Sequence, residues 1–322
     1  MANEALLEVR DLHVIYKTPR ATAYALNGAS FTVEKGETFG LVGETGAGKT
    51  TTALSILGLL PKGIGKVTGG EILFKGQSLL KMNEKQLENI RGKEIAMVFQ
   101  NPLTSLNPVF TVGEQIAMVY RRHQNMGKRE ALEAAGRMLE TVGIPKTRIN
   151  DYPHQFSGGM RQRVGIAAAL ACDPELLIAD EATTALDVTI QAQVLGLMKN
   201  LQKEYGSSFI VITHNLGIIS ELCQKVAVMY AGTIVEYGTV LEVFRRPLHW
   251  YTQGLLGAIP SLEGPRNRLA NIPGNVANAQ NLPDGCKFHT RCQHCTEACK
   301  KDQPPYIRVN DDHYVACWNM EG

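Results

Sequence analysis

Gly43-Glu44-Thr45-Gly46-Ala47-Gly48-Lys49-Thr50 is the stretch on which the reading of this chain turns. It fits the pattern GxxxxGK[ST], in which glycines let consecutive backbone N–H groups turn inward around a polyphosphate. Thr38–Val42, directly before it, is a compact apolar run ending at Gly43. A helix is predicted from Lys49 to about Leu60, stopped by Pro61 and Gly63. Strand, glycine loop and helix in that order are the frame a phosphate-binding loop requires, because the helix N-terminus adds its partial positive charge. In such a loop Lys49 reaches the β- and γ-phosphates and the Thr50 hydroxyl holds Mg²⁺. A chance glycine turn is the plain alternative, and the flanking strand and helix weigh against it.

Outward from the loop, the chain alternates strands and helices. Ala5–Tyr16, Ala25–Val33, Glu71–Phe74 and Ile95–Phe99 are predicted strands. From about Leu103 to Pro153 the texture is helical: Ile116, Val119 and Tyr120 share a face, as do Ala131, Ala135, Met138, Leu139 and Val142. The alternation resumes with helices at Gly158–Ala171, Ile190–Tyr205 and Leu216–Cys223 and strands at Leu176–Ala179 and Phe209–Thr213. That order implies a largely parallel sheet with helices against it. After about Phe244 the pattern fades into Pro, Gly and Asn, which reads as a separate appendage.

Composition bounds the function. A length of 322 residues allows roughly two domains. Hydrophobic residues at 44%, charged residues at 20% and a mean hydropathy of −0.11 are those of a folded globular chain. No apolar run is long enough to span a bilayer, and the start, MANEALLEVRDL, lacks a secretory profile, so export is not expected. With 33 basic and 31 acidic residues, the charge is too balanced to predict a nucleic-acid partner.

Two further motifs join the loop. Leu176-Leu177-Ile178-Ala179-Asp180-Glu181 is a buried strand ending in two acids, which places them at the mouth of a sheet. Asp180 is suited to hold Mg²⁺ and Glu181 to polarise an attacking water, although an Asp-Glu pair after a strand often only caps the next helix. Phe156-Ser157-Gly158-Gly159-Met160-Arg161-Gln162-Arg163 precedes a helix. Alone, Ser157 would be read as an N-cap. With the loop and the acids, the stretch resembles the signature of the ABC ATPases, usually LSGGQ, with Phe for Leu and Met for Gln. The resemblance covers about residues 5–260. It implies that Gln100 is the Q-loop glutamine contacting Mg²⁺ and water, that Ala185-Leu186-Asp187 is the D-loop, and that His214 is the switch histidine sensing the γ-phosphate. It implies that Tyr16 stacks on adenine, with Tyr24 close enough to compete. The nucleotide-binding set is thus Tyr16, Gly43, Glu44, Thr45, Gly46, Ala47, Gly48, Lys49, Thr50, Thr51, Ser157, Gly158, Gly159 and Asp187, with Glu181, His214 and Gln100 catalytic and Thr50, Gln100 and Asp180 serving Mg²⁺.

Within that family, Gln100-Asn101-Pro102-Leu103-Thr104-Ser105-Leu106-Asn107-Pro108 and Tyr152-Pro153-His154-Gln155 resemble the ATP-binding subunits of oligopeptide and dipeptide importers. Pro247-Leu248-His249-Trp250-Tyr251-Thr252 resembles the HPYT-like box that opens their C-terminal extension, with Trp for Pro; its plainer reading is an aromatic staple for the tail. The resemblance implies a peptide importer ATPase on the cytoplasmic face of the membrane. It also implies a second, related but non-identical ATPase subunit, two membrane permease subunits and, indirectly, an extracytoplasmic peptide-binding protein.

Five of the seven cysteines lie in the tail, spaced Cys286-x5-Cys292-x2-Cys295-x3-Cys299-x17-Cys317. The spacing supports a Cys-ligated site, zinc or iron–sulfur, and His289, His294 and His313 could serve zinc. The family resemblance points to Cys286, Cys292, Cys299 and Cys317 as ligands of a [4Fe–4S] cluster, leaving Cys295 outside. The fold expected is α/β: a P-loop NTPase of ABC ATPase type with RecA-like core, antiparallel β subdomain and helical subdomain (about 103–165), plus a small Cys-rich C-terminal extension. The domains expected are 1–260 and 261–322. The alternatives are a soluble ABC ATPase regulated by a metal or iron–sulfur redox site, and one acting on ribosomes or DNA.

Overall fold

A computed structural model describes residues 4–101, 105–182, 188–258, 271–311 and 313–320. The chain divides into two compact units, one built from Glu34–Thr38 and Lys81–Ile212 and the other from Ala5–Val33, Phe39–Leu80 and Thr213–Gly322.

In the first unit three strands run parallel: Ile95–Val98 beside Leu176–Asp180, and Leu176–Asp180 beside Ser208–Thr213. Every residue of Leu176–Asp180 is buried, as in a strand covered on both faces, and this explains why the sequence there is a continuous apolar run rather than an alternating one. Helices Val112–His123 and Lys128–Thr141 bury the faces that the periodicity marks: Ile116 and Tyr120 on the first, Ala131, Ala135, Met138 and Leu139 on the second. Thr111 caps the former, its Oγ1 accepting from Glu114 N at 3.2 Å. A short helix at Glu84–Ile90 has no buried residue and is held by a capping box between Asn83 and Gln86.

In the second unit an antiparallel sheet takes the order Thr22–Glu34, Ala5–Lys17, Gly65–Phe74, Gln77–Ser78. Thr38–Val42 pairs in parallel with Lys225–Tyr230, which turns through Ala231 and Gly232, both at positive φ, into Thr233–Thr239. The helix that follows the phosphate loop ends at Ile56, four residues short of the expected Leu60. Gly58 adopts φ 61°, and the bonds Gly58 N to Ser55 O and Leu59 N to Leu54 O close a left-handed glycine cap before Pro61 is reached.

The tail is not the separate appendage that its composition suggests. His313–Val315 pairs antiparallel with Thr233–Thr239, and Ile307–Asn310 pairs with it in turn. Glu236, fully buried, fixes this junction. Its carboxyl group accepts from Leu248 N at 2.8 Å and His249 N at 3.0 Å, and lies 2.7 Å from His313 Nε2. Tyr230, Tyr251 and Phe288 pack ring against ring with centroids 4.8–5.3 Å apart. The Pro247–Thr252 box therefore acts as the staple its aromatic content suggests.

Burial of His249 lowers its pKa from 6.5 to about 4, so the folded chain keeps the ring neutral. The unfolded chain takes up that proton near pH 6.5 and the folded chain only near pH 4, so stability falls as pH drops through this window. We expect a loss of about 3 kcal/mol across it. Thermal melts between pH 7 and 4 check this, and His249→Asn should flatten the profile.

Candidate functional site

The phosphate loop lies in the second unit. All five residues of Thr38–Val42 are buried, and the strand delivers the loop to the surface, where Thr45, Gly46 and Thr50 are exposed. Gly43 is required by close approach: a Cβ there would stand 2.1 Å from Met229 O, on the neighbouring strand. Ala47 O accepts from Gly232 N at 2.8 Å, tying the loop to the hairpin turn. Lys49 Nζ is buried and donates to Gly43 O at 2.7 Å and Glu44 O at 3.0 Å, so it lies inside the curl of the loop. No side chain caps the Lys49–Ile56 helix, which begins directly from Gly48. Tyr16 OH and Thr51 Oγ1 are 3.2 Å apart, bringing that ring to the helix that follows the loop. Tyr24 is half exposed, with its N–H on Ala279 O.

The second unit also carries His214, exposed directly after the Ser208–Thr213 strand. It is not the cap of the next helix. Asn215 fills that role, its Oδ1 accepting from Gly217 N at 2.9 Å.

The first unit carries the acids, the glutamine and the signature. Asp180 is buried at the last position of its strand. Glu181, the next residue, is held at φ 46°, a left-handed conformation rare outside glycine, with its N–H on Ile212 O at 2.8 Å. Its Oε2 accepts from Gln100 Nε2 at 2.7 Å, so two residues 81 positions apart in sequence meet. Ser157 caps the Gly158–Leu170 helix, its Oγ accepting from Met160 N at 3.4 Å. A Cβ built on Gly158 would meet nothing within 4 Å, so the signature presents an open, exposed helix start. The predicted D-loop, Ala185-Leu186-Asp187, lies outside the described residues.

Two residues outside the expected nucleotide-binding set reach the loop. Tyr251 OH accepts from Glu44 N at 2.8 Å, and Arg291 forks onto the Glu44 carboxylate. Tyr251 stood in a recognisable box, but nothing local distinguishes Arg291, whose partner is 247 positions away.

The tail thiols lie near one another. Burial pushes Cys286 and Cys317 up to about 11, and neighbouring thiols, Cys299 and Cys292 among them, add to the shift. Burial likewise raises Cys292, and Cys286, Cys299 and Cys317 are buried. This soft donor set suits iron or zinc chemically. The arrangement does not: among the described residues no group of three or more His, Cys, Asp or Glu side chains is placed to hold a metal ion. The expected ligand set Cys286, Cys292, Cys299 and Cys317 is therefore not found as a formed metal site. For the zinc alternative likewise no formed site is found among the described residues, and its three histidines make other contacts. His313 Nε2 is engaged by buried Glu236, His294 stacks on Trp250 with the rings 6° from parallel, and His289 Nδ1 lies 2.9 Å from Cys286 O. Among the described residues no helix is long and apolar enough to cross a membrane.

The comparisons with known proteins agree with the loop and signature. The family model for ABC transporters matches residues 26–184, and that for the oligopeptide/dipeptide transporter C-terminal region matches residues 235–299. The chain is 50% identical to the oligopeptide transport ATP-binding protein OppD of Bacillus subtilis, over 97% of this chain and 88% of that one. It is 49% identical to a probable peptide ABC transporter ATP-binding protein of Sinorhizobium fredii, over 98% and 95%. It is 47% identical to the dipeptide transport ATP-binding protein DppD of Bacillus subtilis, over 98% and 95%. Among solved structures, the ATP-binding cassette MJ0796, in a dimeric post-hydrolysis state bound to ADP and Pi, matches with a TM-score of 0.66 and 27% identity, covering 73% of this chain and 98% of that one. A P-loop fold with an open signature, matched at this level, is that of an ABC ATPase, and the chain belongs to the ATP-binding proteins of the oligopeptide/dipeptide ABC transporters. Nothing in these relatives supports the alternative of a soluble ATPase governed by a metal or iron–sulfur site.

Proposed function

We propose that this chain hydrolyses ATP to drive the import of peptides through a separate membrane permease. The observation that carries the reading is the likeness, over nearly the whole chain, to proteins named for oligopeptide and dipeptide transport. The roles proposed for its residues are those that the family resemblance implies, and the chemistry of each residue suits its role. Gly43–Thr50, with Thr51, receive the phosphates, Tyr16 the adenine, and Thr50, Gln100 and Asp180 offer the hard oxygen donors that suit Mg²⁺. When bound, that ion offsets charge developing on the transferred phosphoryl group. Glu181 orients and polarises the attacking water, held in place by Gln100, and His214 faces the γ-phosphate. Ser157, Gly158, Gly159 and Asp187 complete the site of a second ATPase chain, because one chain carries one loop and one signature; the family resemblance implies that this second chain is related but not identical.

In this reading residues 1–260 form the nucleotide-binding domain, with a helical subdomain at about 103–165, and 261–322 form the C-terminal extension. The chain sits peripherally on the cytoplasmic face beneath two permease subunits, served indirectly by an extracytoplasmic binding protein, with no nucleic acid involved. The finer reading of Cys286, Cys292, Cys299 and Cys317 as a [4Fe–4S] site draws support only from donor chemistry and the proximity of the thiols. Iron and acid-labile sulfide measured per chain after anaerobic purification test it.

The transport reading is tested by reconstituting the chain with its permease and companion ATPase in vesicles. ATP-dependent uptake of labelled peptide is expected, and Lys49→Ala should reduce it at least about 100-fold by removing the charge that meets the phosphates. Hydrolysis that peptide and binding protein leave unstimulated, with no uptake, would overturn it.

A further inference from the structure

Glu44 is the second residue of the phosphate loop, and three groups hold it at once. Lys49 Nζ donates to its carbonyl oxygen at 3.0 Å, and its own N–H donates to the Tyr251 hydroxyl at 2.8 Å. Its carboxylate takes both arms of Arg291, Nη1 to Oε2 at 2.6 Å and Nη2 to Oε1 at 3.1 Å. The Arg291 side chain is only 4% exposed. Its third nitrogen is spent on the backbone, Nε donating to Pro273 O at 3.0 Å. The guanidinium lies 5.8 Å and 5.9 Å from the ring centres of Tyr230 and Phe288. A guanidinium fixed in this way is a built feature of the loop, not a surface ion pair whose geometry solvent sets.

The electrostatics give that feature a task. The loop gathers N–H donors and one lysine to receive a polyphosphate, and Glu44 places a negative charge among them. Unpaired, that charge would repel the incoming phosphates in a partly desolvated setting, where Coulomb terms are several times larger than in water. Forked onto Arg291, it is cancelled. The Tyr251 hydroxyl meanwhile fixes the direction of the Glu44 N–H, and with it the Gly43–Glu44 peptide plane, whose Gly43 carbonyl receives Lys49 at 2.7 Å.

We propose that Arg291 and Tyr251 are positioning residues of the ATP site, through which the C-terminal segment sets the affinity of the phosphate loop for nucleotide. Arg291 neutralises Glu44, and Tyr251 orients its peptide. The inference rests on the reading of Gly43–Thr50 as the ATP-binding loop, and the test separates the two.

The test is Mg·ATP affinity of the full chain, measured by titration, with KM and kcat of the assembled transporter alongside. Arg291→Gln is expected to weaken ATP binding about tenfold and to raise KM by a similar factor, with kcat changed much less, because the phosphates meet an unpaired carboxylate. Arg291→Lys should fall between, since an ammonium keeps the charge but cannot fork. In a Glu44→Gln background, measured as its own reference, Arg291→Gln should cost less than about threefold. An unchanged affinity in Arg291→Gln overturns the proposal, as does a loss that is equally large in the Glu44→Gln background, which would mark Arg291 as packing alone. Should Arg291→Gln fail to fold, Tyr251→Phe removes a single acceptor atom. About threefold weaker binding at an unchanged melting temperature supports the proposal, and unchanged binding overturns it. If the unaltered chain binds no ATP, the reading of the loop itself fails.

Discussion

Glu181→Gln is expected to lower ATP turnover at least about 100-fold while leaving ATP binding within about twofold, a loss in the range assigned to a general base. The substitution is close to isosteric, so the structural role of the side chain survives: an amide oxygen accepts from Gln100 Nε2 as the carboxylate does at 2.7 Å. What disappears is the negative charge that polarises water, and catalysis of phosphoryl transfer consists of positioning and electrostatics with little else to compensate. The backbone adds to the case. A glutamate held at φ 46° costs on the order of 1–2 kcal/mol, which the Glu181 N–H bond to Ile212 O and the strand before it maintain. Such a conformation turns the side chain off the end of the strand instead of continuing it. Steady-state hydrolysis and nucleotide titration on the same preparation check the expectation. Brisk turnover in the variant would remove Glu181 from the role of base.

The parts of this site that were legible in the sequence are those whose signal is local. Thr38–Val42 and Leu176–Asp180 read as strands because burial on both faces demands unbroken apolar runs, and Ser157-Gly158-Gly159 reads as a helix start because a hydroxyl before helical spacing is a cap. The Lys49 helix is shorter than its sequence suggests although its stop is present: Gly58 ends it, but a run of good helix formers on either side hides a single glycine. Glu84–Ile90 is hard to read for the opposite reason. With no buried residue it carries no apolar stripe, and its capping box is its only mark. The Lys225–Thr239 hairpin turns on Ala231-Gly232, which lacks the Asn-Gly or Asp-Gly pair that announces such turns. Least legible were the long-range pairs. Val315 faces Glu236 in the strand register, and Arg291 meets Glu44 in the loop. A polar, proline-rich tail gives no local hint of either, because partners drawn from distant parts of the chain leave no spacing to read.

Glu236→Leu is expected to cost about 3–5 kcal/mol of stability and to lower the melting temperature by roughly 10 °C. The size follows from burial and valence. The carboxyl group is fully inaccessible and satisfies Leu248 N, His249 N and His313 Nε2. Leucine fills the volume but leaves those groups buried without an acceptor, and each such loss carries a desolvation penalty of about 1–3 kcal/mol. Glu236→Gln should be milder, because one amide oxygen can still serve part of the set while the amide NH₂ faces a donor. The damage should also be directional. His249 begins the helix that carries Tyr251, and His313 opens the strand that joins the tail to Thr233–Thr239. Releasing both should loosen the segment from which Arg291 reaches Glu44. Weaker ATP binding at temperatures where the variant is still folded is therefore expected, together with faster hydrogen exchange at Val315 and Ala316. If melting falls but ATP affinity holds, the tail is a stabilising strap whose connection to the loop carries no functional weight.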